Sequence, residues 1–143
     1  VNTALFDTYK VKEGESPEII AHKLYGDTEL HWVIMLVNNV LDRYHDWPMS
    51  TPQFNQFIID KYGSAVDSPH HYEIVQTSGP TTSIDESHLI QVNSTTPGAT
   101  LVTNREYEER EQDKKRKIRL LAPAYLTGFL NEFKIAMDST NTA

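Results

Sequence analysis

The hydrophobic positions of the first 63 residues predict one strand and three helices. Loose alternation over residues 6–12 predicts a short strand. Ser16 and Pro17 are typical of the N-cap and first position of a helix, and Ile19, Ile20 and Leu24 then recur at helical spacing. Gly26 is a C-terminal stop signal. A first helix is therefore expected between Pro17 and Gly26.

The second helix, roughly Glu29 to Asn38, is apolar nearly all round, which predicts that it is buried on most sides. A third helix is expected after a cap at Ser50 or Thr51. Its apolar stripe consists of Phe54, Phe57, Ile58 and Tyr62, and Gly63 closes it.

Residues 64–103 have the turn chemistry of a small antiparallel sheet. Strands are predicted at 71–75, 88–93 and 100–103, with Thr96-Pro97-Gly98 as a turn between the last two. The intervening segment 76–87 is polar, and we expect a mobile loop there. A meander this small needs support from flanking helices or from a partner protein.

Residues 104–143 read as two helices and a tail. A charged helix is expected from Asn104 to about Leu121, with its acids first and its bases last, an order that suits the helix dipole. Pro123 breaks this helix and starts another, whose apolar stripe extends from Tyr125 to Met137. Residues 138–143 are polar, and we expect a disordered tail.

These elements predict an α+β fold in four parts. An N-terminal strand-and-helix domain with an extra helix takes residues 1–63, and a small antiparallel β meander takes 64–103. A C-terminal helical region takes 104–137, and the tail takes 138–143.

The N-terminal part resembles a LysM module, a βααβ fold that often binds N-acetylglucosamine polymers. The resemblance rests on Tyr9-x-Val11-x-x-Gly14-Glu15-Ser16, Ile20-Ala21, Leu24-Tyr25-Gly26-Asp27 and Asn38-Asn39. The module's usual closing strand is missing after the second helix, and the segment 41–50, Leu-Asp-Arg-Tyr-His-Asp-Trp-Pro-Met-Ser, stands in its place.

A narrower resemblance covers residues 6–63 and 102–137. The segments 24–26, 31–34, 38–39 and 46–50, together with Asn104-x-x-Tyr107-Glu108-Glu109 and the run 115–126, look like the baseplate wedge protein of T-even-like contractile-tailed phages. This resemblance implies a non-enzymatic structural component of a phage tail baseplate. Such a component joins wedge proteins, links neighbouring wedges around the hub, and is assembled in the host bacterial cytoplasm. The alternative is a LysM-type module that binds peptidoglycan or chitin.

Charge and composition narrow the range of partners. The chain has 143 residues, enough for one domain of ordinary size or two small ones, and a formal charge of −7. This charge argues against nucleic acid and anionic membranes as partners. The chain has no cysteine, and its longest apolar run, residues 32–37, is too short to span a bilayer.

We predict no catalytic, metal or cofactor site and no small-molecule substrate. His70 and His71 point to opposite faces of a strand, so with His88 they make a poor ligand set. The paired acids Glu13 and Glu15, or Asp42 and Asp46, sit in polar turns rather than in an apolar pocket of the kind that raises a carboxyl pKa.

The candidate sites are therefore surfaces. The candidate protein interface comprises Tyr44, Trp47, Met49, Tyr107, Lys115, Arg116, Tyr125 and Phe129. For Trp47, packing onto its own domain is an equally good interpretation. The glycan groove of the alternative function would comprise Gly14, Glu15, Ser16, Leu41 and Tyr44.

Overall fold

The computed structural model describes residues 5–75 and 89–141, and these form the predicted α+β fold. The helices are α1 (Pro17–Tyr25), α2 (His31–Val37), α3 (Thr51–Tyr62), α4 (Asn104–Arg116) and α5 (Leu126–Asn141). The strands are β1 (Phe6–Lys10), β2 (Pro69–Val75), β3 (Leu89–Val92), β4 (Thr100–Thr103) and β5 (Lys117–Leu121). The chain divides into two compact units: residues 1–51 with 113–143 form unit 1, and residues 52–112 form unit 2.

The first helix has the capping residues that its sequence predicts. The Ser16 Oγ accepts a hydrogen bond of 3.3 Å from the Ile19 N–H, and Pro17 occupies the first helical position. Gly26 ends the helix with φ of 75°, a left-handed conformation that favours glycine. These local signals fix both ends of α1.

The second helix is shorter and more exposed than its sequence suggests. Residues Thr28–Leu30 form a 3₁₀ turn whose cap is Asp27, and the α-helix begins only at His31. Val33, Ile34 and Val37 are buried, whereas Leu36 is 48% exposed. The helix is therefore buried along one broad face rather than all round.

The sheet of unit 1 corrects our prediction for residues 117–121. We expected the charged helix to continue to about Leu121, but α4 ends at Arg116, and β5 then pairs antiparallel with β1. Ile118 and Leu120 are buried while Lys117 and Arg119 are exposed, an alternation that suits a strand with one covered face. The strand that pairs with β1 thus comes from far along the sequence and not from the segment after α2.

Two clusters of buried side chains form the core of unit 1. The larger contains Val11, Ile20, Ala21, Ile34, Val40, Trp47, Ile118 and Leu120. The second contains Val33, Val37 and Leu121, against which Leu126, Phe129 and Leu130 of α5 pack. Both clusters include β5, so the sheet and the helices depend on the same strand.

Unit 2 contains the antiparallel sheet predicted in the middle of the chain. The strand order is β3-β2-β4, so β2 is central, whereas a meander would place β3 there. β2 is the longest of the three strands, with seven residues, and it offers an edge to each neighbour. Val102 of β4 is fully buried, as is Ile58 of α3 at 1% exposure.

Two further expectations concern segments at the limits of the described residues. α5 continues to Asn141, so the disordered tail expected from residue 138 is helical over its first four residues. Residues 138–141 continue the helix because nothing after Pro123 breaks it. The mobile loop expected at 76–87 lies outside the described residues.

Candidate interaction site

A tight loop after α2 presents two exposed apolar side chains. The Asp46 carboxylate accepts hydrogen bonds of 3.0 Å from the N–H groups of Leu41 and Asp42. The Asp42 Oδ1 accepts one of 2.8 Å from the Tyr44 N–H. These bonds fix the loop backbone, yet Leu41 is 93% exposed and Tyr44 79%. We call Leu41 and Tyr44 the loop surface.

Electrostatic contacts also support this loop. The hydrogen bond from the ring of His45, followed by the Tyr44 N–H, holds the pKa of the Asp42 carboxyl below its ordinary value. Arg43 forms an ion pair of 2.7 Å with Glu18 on α1. The loop is thus attached to the first helix as well as bonded within itself.

Trp47 anchors the end of the loop in the core. Its indole Nε1 donates a hydrogen bond of 2.8 Å to the main-chain carbonyl of Glu15, and the side chain is only 6% exposed. Trp47 therefore packs onto its own unit, which was one of the two interpretations, and it offers no surface to a partner.

The Glu15 carboxylate is fully engaged inside the unit. It accepts hydrogen bonds from the Tyr9 hydroxyl at 2.6 Å, the Lys12 N–H at 2.7 Å and the Lys23 Nζ at 2.9 Å. Burial alone raises the pKa of this carboxyl, but the three hydrogen bonds together hold it below its ordinary value. Ser16 is likewise used as the cap of α1.

The five glycan-groove candidates thus divide into two groups. The turn at Gly14 and the loop after α2 are joined through other residues, because Trp47 bonds to Glu15 and Arg43 to Glu18. The side chains of Glu15 and Ser16, however, are turned to internal bonds, which leaves Leu41 and Tyr44 as the exposed pair.

The second half of α5 forms a further exposed apolar surface. Phe129 and Phe133 lie against Trp32, with ring centroids at 6.2 and 4.8 Å. Beyond them, Ile135 is 67% exposed and Met137 49%. We call Ile135 and Met137 the α5 surface. Tyr125, in the 3₁₀ turn Pro123–Tyr125 that precedes α5, is 43% exposed.

The remaining interface candidates have partners within their own units. In unit 1, Arg116 donates to the Asp113 carboxylate at 2.9 Å and to the Met49 carbonyl at 3.4 Å, and Lys115 is half-buried. In unit 2, the Tyr107 ring stacks on His70 at 3.8 Å. Arg116 and Tyr107 are therefore each engaged in contacts inside their own unit.

The buried carboxylates of unit 2 each accept hydrogen bonds from a basic side chain. Glu73 accepts both Arg110 nitrogens, at 2.9 and 2.8 Å, and the Arg110 guanidinium, followed by His71, holds the pKa of Glu73 below its ordinary value despite burial. Glu108 accepts hydrogen bonds from the Lys61 Nζ and from the Tyr62 hydroxyl, both at 2.7 Å.

Across residues 5–75 and 89–141, no group of three His, Asp or Glu side chains could hold a metal ion. In the same ranges, no helix is both long and apolar enough to cross a bilayer.

Sequence reasoning missed Asn38 as a structural residue. We assigned it to the end of α2 and to a family motif, but its side chain also bonds to β5. The alternation of charged and apolar residues over 117–120 was the available signal for that strand.

Comparison with known proteins identifies the family. Residues 2–80 match the family model described as base plate wedge protein 53, which is more than half of the chain. The chain belongs to this family. It is also 24% identical to the baseplate wedge protein gp53 of Enterobacteria phage T4 over 145 residues, which cover 93% of this chain and 74% of that protein.

Membership supports a structural role in a phage baseplate wedge and a location in the tail baseplate of the virion. The resemblance stated from the motifs is thereby confirmed at the level of the family. The finer expectation of a LysM-like module stays a prediction.

Proposed function

We propose that this chain is a non-enzymatic scaffold that joins wedge proteins within the baseplate and links neighbouring wedges around the hub. The observation that carries the proposal is the loop surface, where Leu41 and Tyr44 are exposed on a backbone fixed by hydrogen bonds. An exposed aromatic on a preorganised backbone is typical of an interface anchor, because little conformational entropy is lost on binding. The proposed assembly site is the host cytoplasm, and the proposed partners are other wedge proteins.

The α5 surface supports a second contact. A linking protein needs at least two interfaces, and residues 131–140 are exposed along their whole length although they include Phe133, Ile135 and Met137. Exposed apolar patches of this kind mark interaction sites more often than isolated apolar residues do. We assign the loop surface and the α5 surface to two different partners.

The test is co-purification of the full chain with separately expressed wedge proteins of the same phage. The variant Leu41→Ser/Tyr44→Ser alters the loop surface, and Ile135→Ser/Met137→Ser alters the α5 surface. We expect each variant to lose one set of partners, with a loss of affinity of about 30-fold or more if these residues are interface hot spots.

The matched control is Ile59→Ser, which removes an apolar side chain that is 56% exposed on α3 of unit 2. It should leave co-purification unchanged. Failure of the unaltered chain to retain any wedge protein contradicts the proposal, as does equal weakening by the control. Negative-stain microscopy of the assemblies should distinguish loss of the wedge itself from loss of the links between neighbouring wedges.

A further inference from the structure

The hydrogen-bond pattern of the two-stranded sheet shows which backbone groups of β1 face away from β5. At one end, the Val11 N–H donates to the Arg116 carbonyl at 2.9 Å, and at the other the Ala122 N–H donates to the Leu5 carbonyl at 2.8 Å. In an antiparallel pair, successive residues alternate between facing the partner and facing away. The odd-numbered residues of β1 therefore face β5, and the even-numbered residues face outward.

The outward-facing residues of β1 are Phe6, Thr8 and Lys10. Among the residues that the structure describes, no strand pairs with this edge, since the sheet contains only β1 and β5. An unpaired row of N–H and C=O groups is a template for another strand. Within residues 5–75 and 89–141, the outer edge of β1 therefore has no pairing strand, and we call it the open edge.

The outer edge of β5, in contrast, is closed by side chains. The Asn38 amide donates to the Arg119 carbonyl at 2.8 Å and accepts from the Arg119 N–H at 2.9 Å. The Tyr25 hydroxyl donates to the Leu121 carbonyl at 2.7 Å. A further strand can therefore be added beside β1 and not beside β5.

The side chains of Thr8 and Lys10 lie on the same face of the sheet as those of Lys117 and Arg119, and this face is basic. Lys10 lies directly opposite Lys117, and Thr8 lies opposite Arg119. Like charges placed directly opposite each other destabilise a strand pair. Neither lysine has an ion-pair partner within residues 5–75 and 89–141, although the whole chain carries −7. Both lysines also line an open depression of about 610 Å³ on this sheet.

We propose that an extended, acidic segment of a partner protein adds to the open edge of β1 as a third strand. Its main chain would pair with the outward N–H and C=O groups of Thr8 and Lys10. Its alternate side chains, if acidic, would lie beside Lys10, with Lys117 one strand further away, and their charge would offset the repulsion between the two lysines. The proposal rests on the proposed scaffold function, for which it supplies the chemistry of one partner.

The two features together favour this occupant over others. An apolar strand would pair with the edge but leave the lysines without counter-charges. A nucleic acid or a sulfated glycan would neutralise the lysines but has no peptide ladder to pair with β1. Only an extended peptide with acids at alternate positions uses both the edge and the charge.

The probe is a ten-residue peptide that alternates Glu with Thr, titrated into the full ¹⁵N-labelled chain. We expect amide shifts at Thr8 and Lys10 and an affinity that falls as salt rises. A peptide that alternates Lys with Thr should not bind. A Glu-Thr peptide methylated on alternate amide nitrogens should bind more weakly, because it cannot complete the ladder.

Two variants separate the charge from the edge. Lys117→Glu should lower the affinity for the acidic peptide about tenfold, because the charge at this position of the binding face is reversed. Lys134→Glu makes the same charge change on α5 and should leave the affinity unaltered. Thr8→Pro removes an outward N–H without removing a bond to β5 and should abolish binding. If Thr8→Pro does not fold, the methylated peptide makes the same test.

The inference is overturned if the acidic peptide does not bind at low salt. It is also overturned if Lys134→Glu lowers the affinity for the peptide as much as Lys117→Glu does. It is equally overturned if an oligonucleotide competes for the lysines while the β1 amides do not shift. Peptide binding without capture of any wedge protein refutes only the scaffold function. Capture of wedge proteins without peptide binding refutes only the added strand.

Discussion

The side-chain amide of Asn38 forms two hydrogen bonds with the backbone of Arg119, eighty-one residues later. Its Nδ2 donates to the Arg119 carbonyl at 2.8 Å, and its Oδ1 accepts from the Arg119 N–H at 2.9 Å. The same Nδ2 also donates to the Ile34 carbonyl at 2.8 Å. One side chain therefore ends α2 and holds β5 beside it, as a neighbouring strand would.

Asn38→Ala should destabilise unit 1. The change removes both hydrogen bonds to the exposed backbone of Arg119, each worth about 0.5–1.5 kcal/mol in the free energy of unfolding because water can replace the lost partner. The chain has two tryptophans, and both Trp32 and Trp47 lie in unit 1, so urea unfolding followed by tryptophan fluorescence measures this unit. The control is Asn55→Ala, an exposed asparagine of α3, which should change the tryptophan transition by less than about 0.5 kcal/mol.

Unit 1 should lose stability in acid partly through Glu15. The pKa of this carboxyl in the folded chain is below its ordinary value of 4.5. The ionised form therefore stabilises the fold fully above pH 4.5, and the stabilisation is lost as the pH falls through the lower folded pKa. The free energy of unfolding of the unaltered chain should decrease below pH 4.5.

Glu15→Gln isolates this contribution. We expect the variant to be less stable than the unaltered chain at pH 7, and the difference between them to shrink as the pH falls below 4.5. Glu29→Gln removes an exposed carboxyl of the same unit and should have little effect at pH 7. A difference between Glu15→Gln and the unaltered chain that stays constant down to pH 2 would contradict the assignment.

Removing residues 113–143 should unfold unit 1. The shortened chain loses β5, including the buried side chains of Ile118, Leu120 and Leu121. Each contributes about 1.5–3 kcal/mol through burial, a sum comparable with the whole stability of a small domain. We expect tryptophan emission typical of solvent exposure and no cooperative transition. Addition of the peptide 113–143 should restore the tryptophan emission of the folded unit and its cooperative transition. A cooperative transition in the shortened chain alone would refute the role of β5.

Glu73→Gln should destabilise unit 2. The carboxylate accepts two charged hydrogen bonds from Arg110, at 2.9 and 2.8 Å, and an amide can accept at only one atom. A loss of about 1–3 kcal/mol is expected, and faster hydrogen exchange at the Tyr72 and Ile74 amides of β2 would detect it. Glu109→Gln, an exposed acid on α4, is the control and should leave that exchange unaltered.

The sequence by itself determined the elements whose signals are local. Ser16, Pro17 and Gly26 define the ends of α1 because caps act within one helical turn. The spacing of Phe54 and Ile58 predicted both α3 and its buried face, since amphipathic periodicity is a property of a single segment. The family was also readable from motifs, and the match over residues 2–80 confirms it.

Only the tertiary structure determined that residues 117–121 form a strand and not the end of a helix. The order of acids and bases, which suits the helix dipole, predicted helix there, but burial of Ile118 and Leu120 against unit 1 outweighs this effect, which is worth only about 0.3–1 kcal/mol per well-placed charge. The partner of this segment is β1, more than a hundred residues away in sequence. No local pattern specifies such a partner, because the energy that selects the strand comes from a core assembled by the rest of the chain.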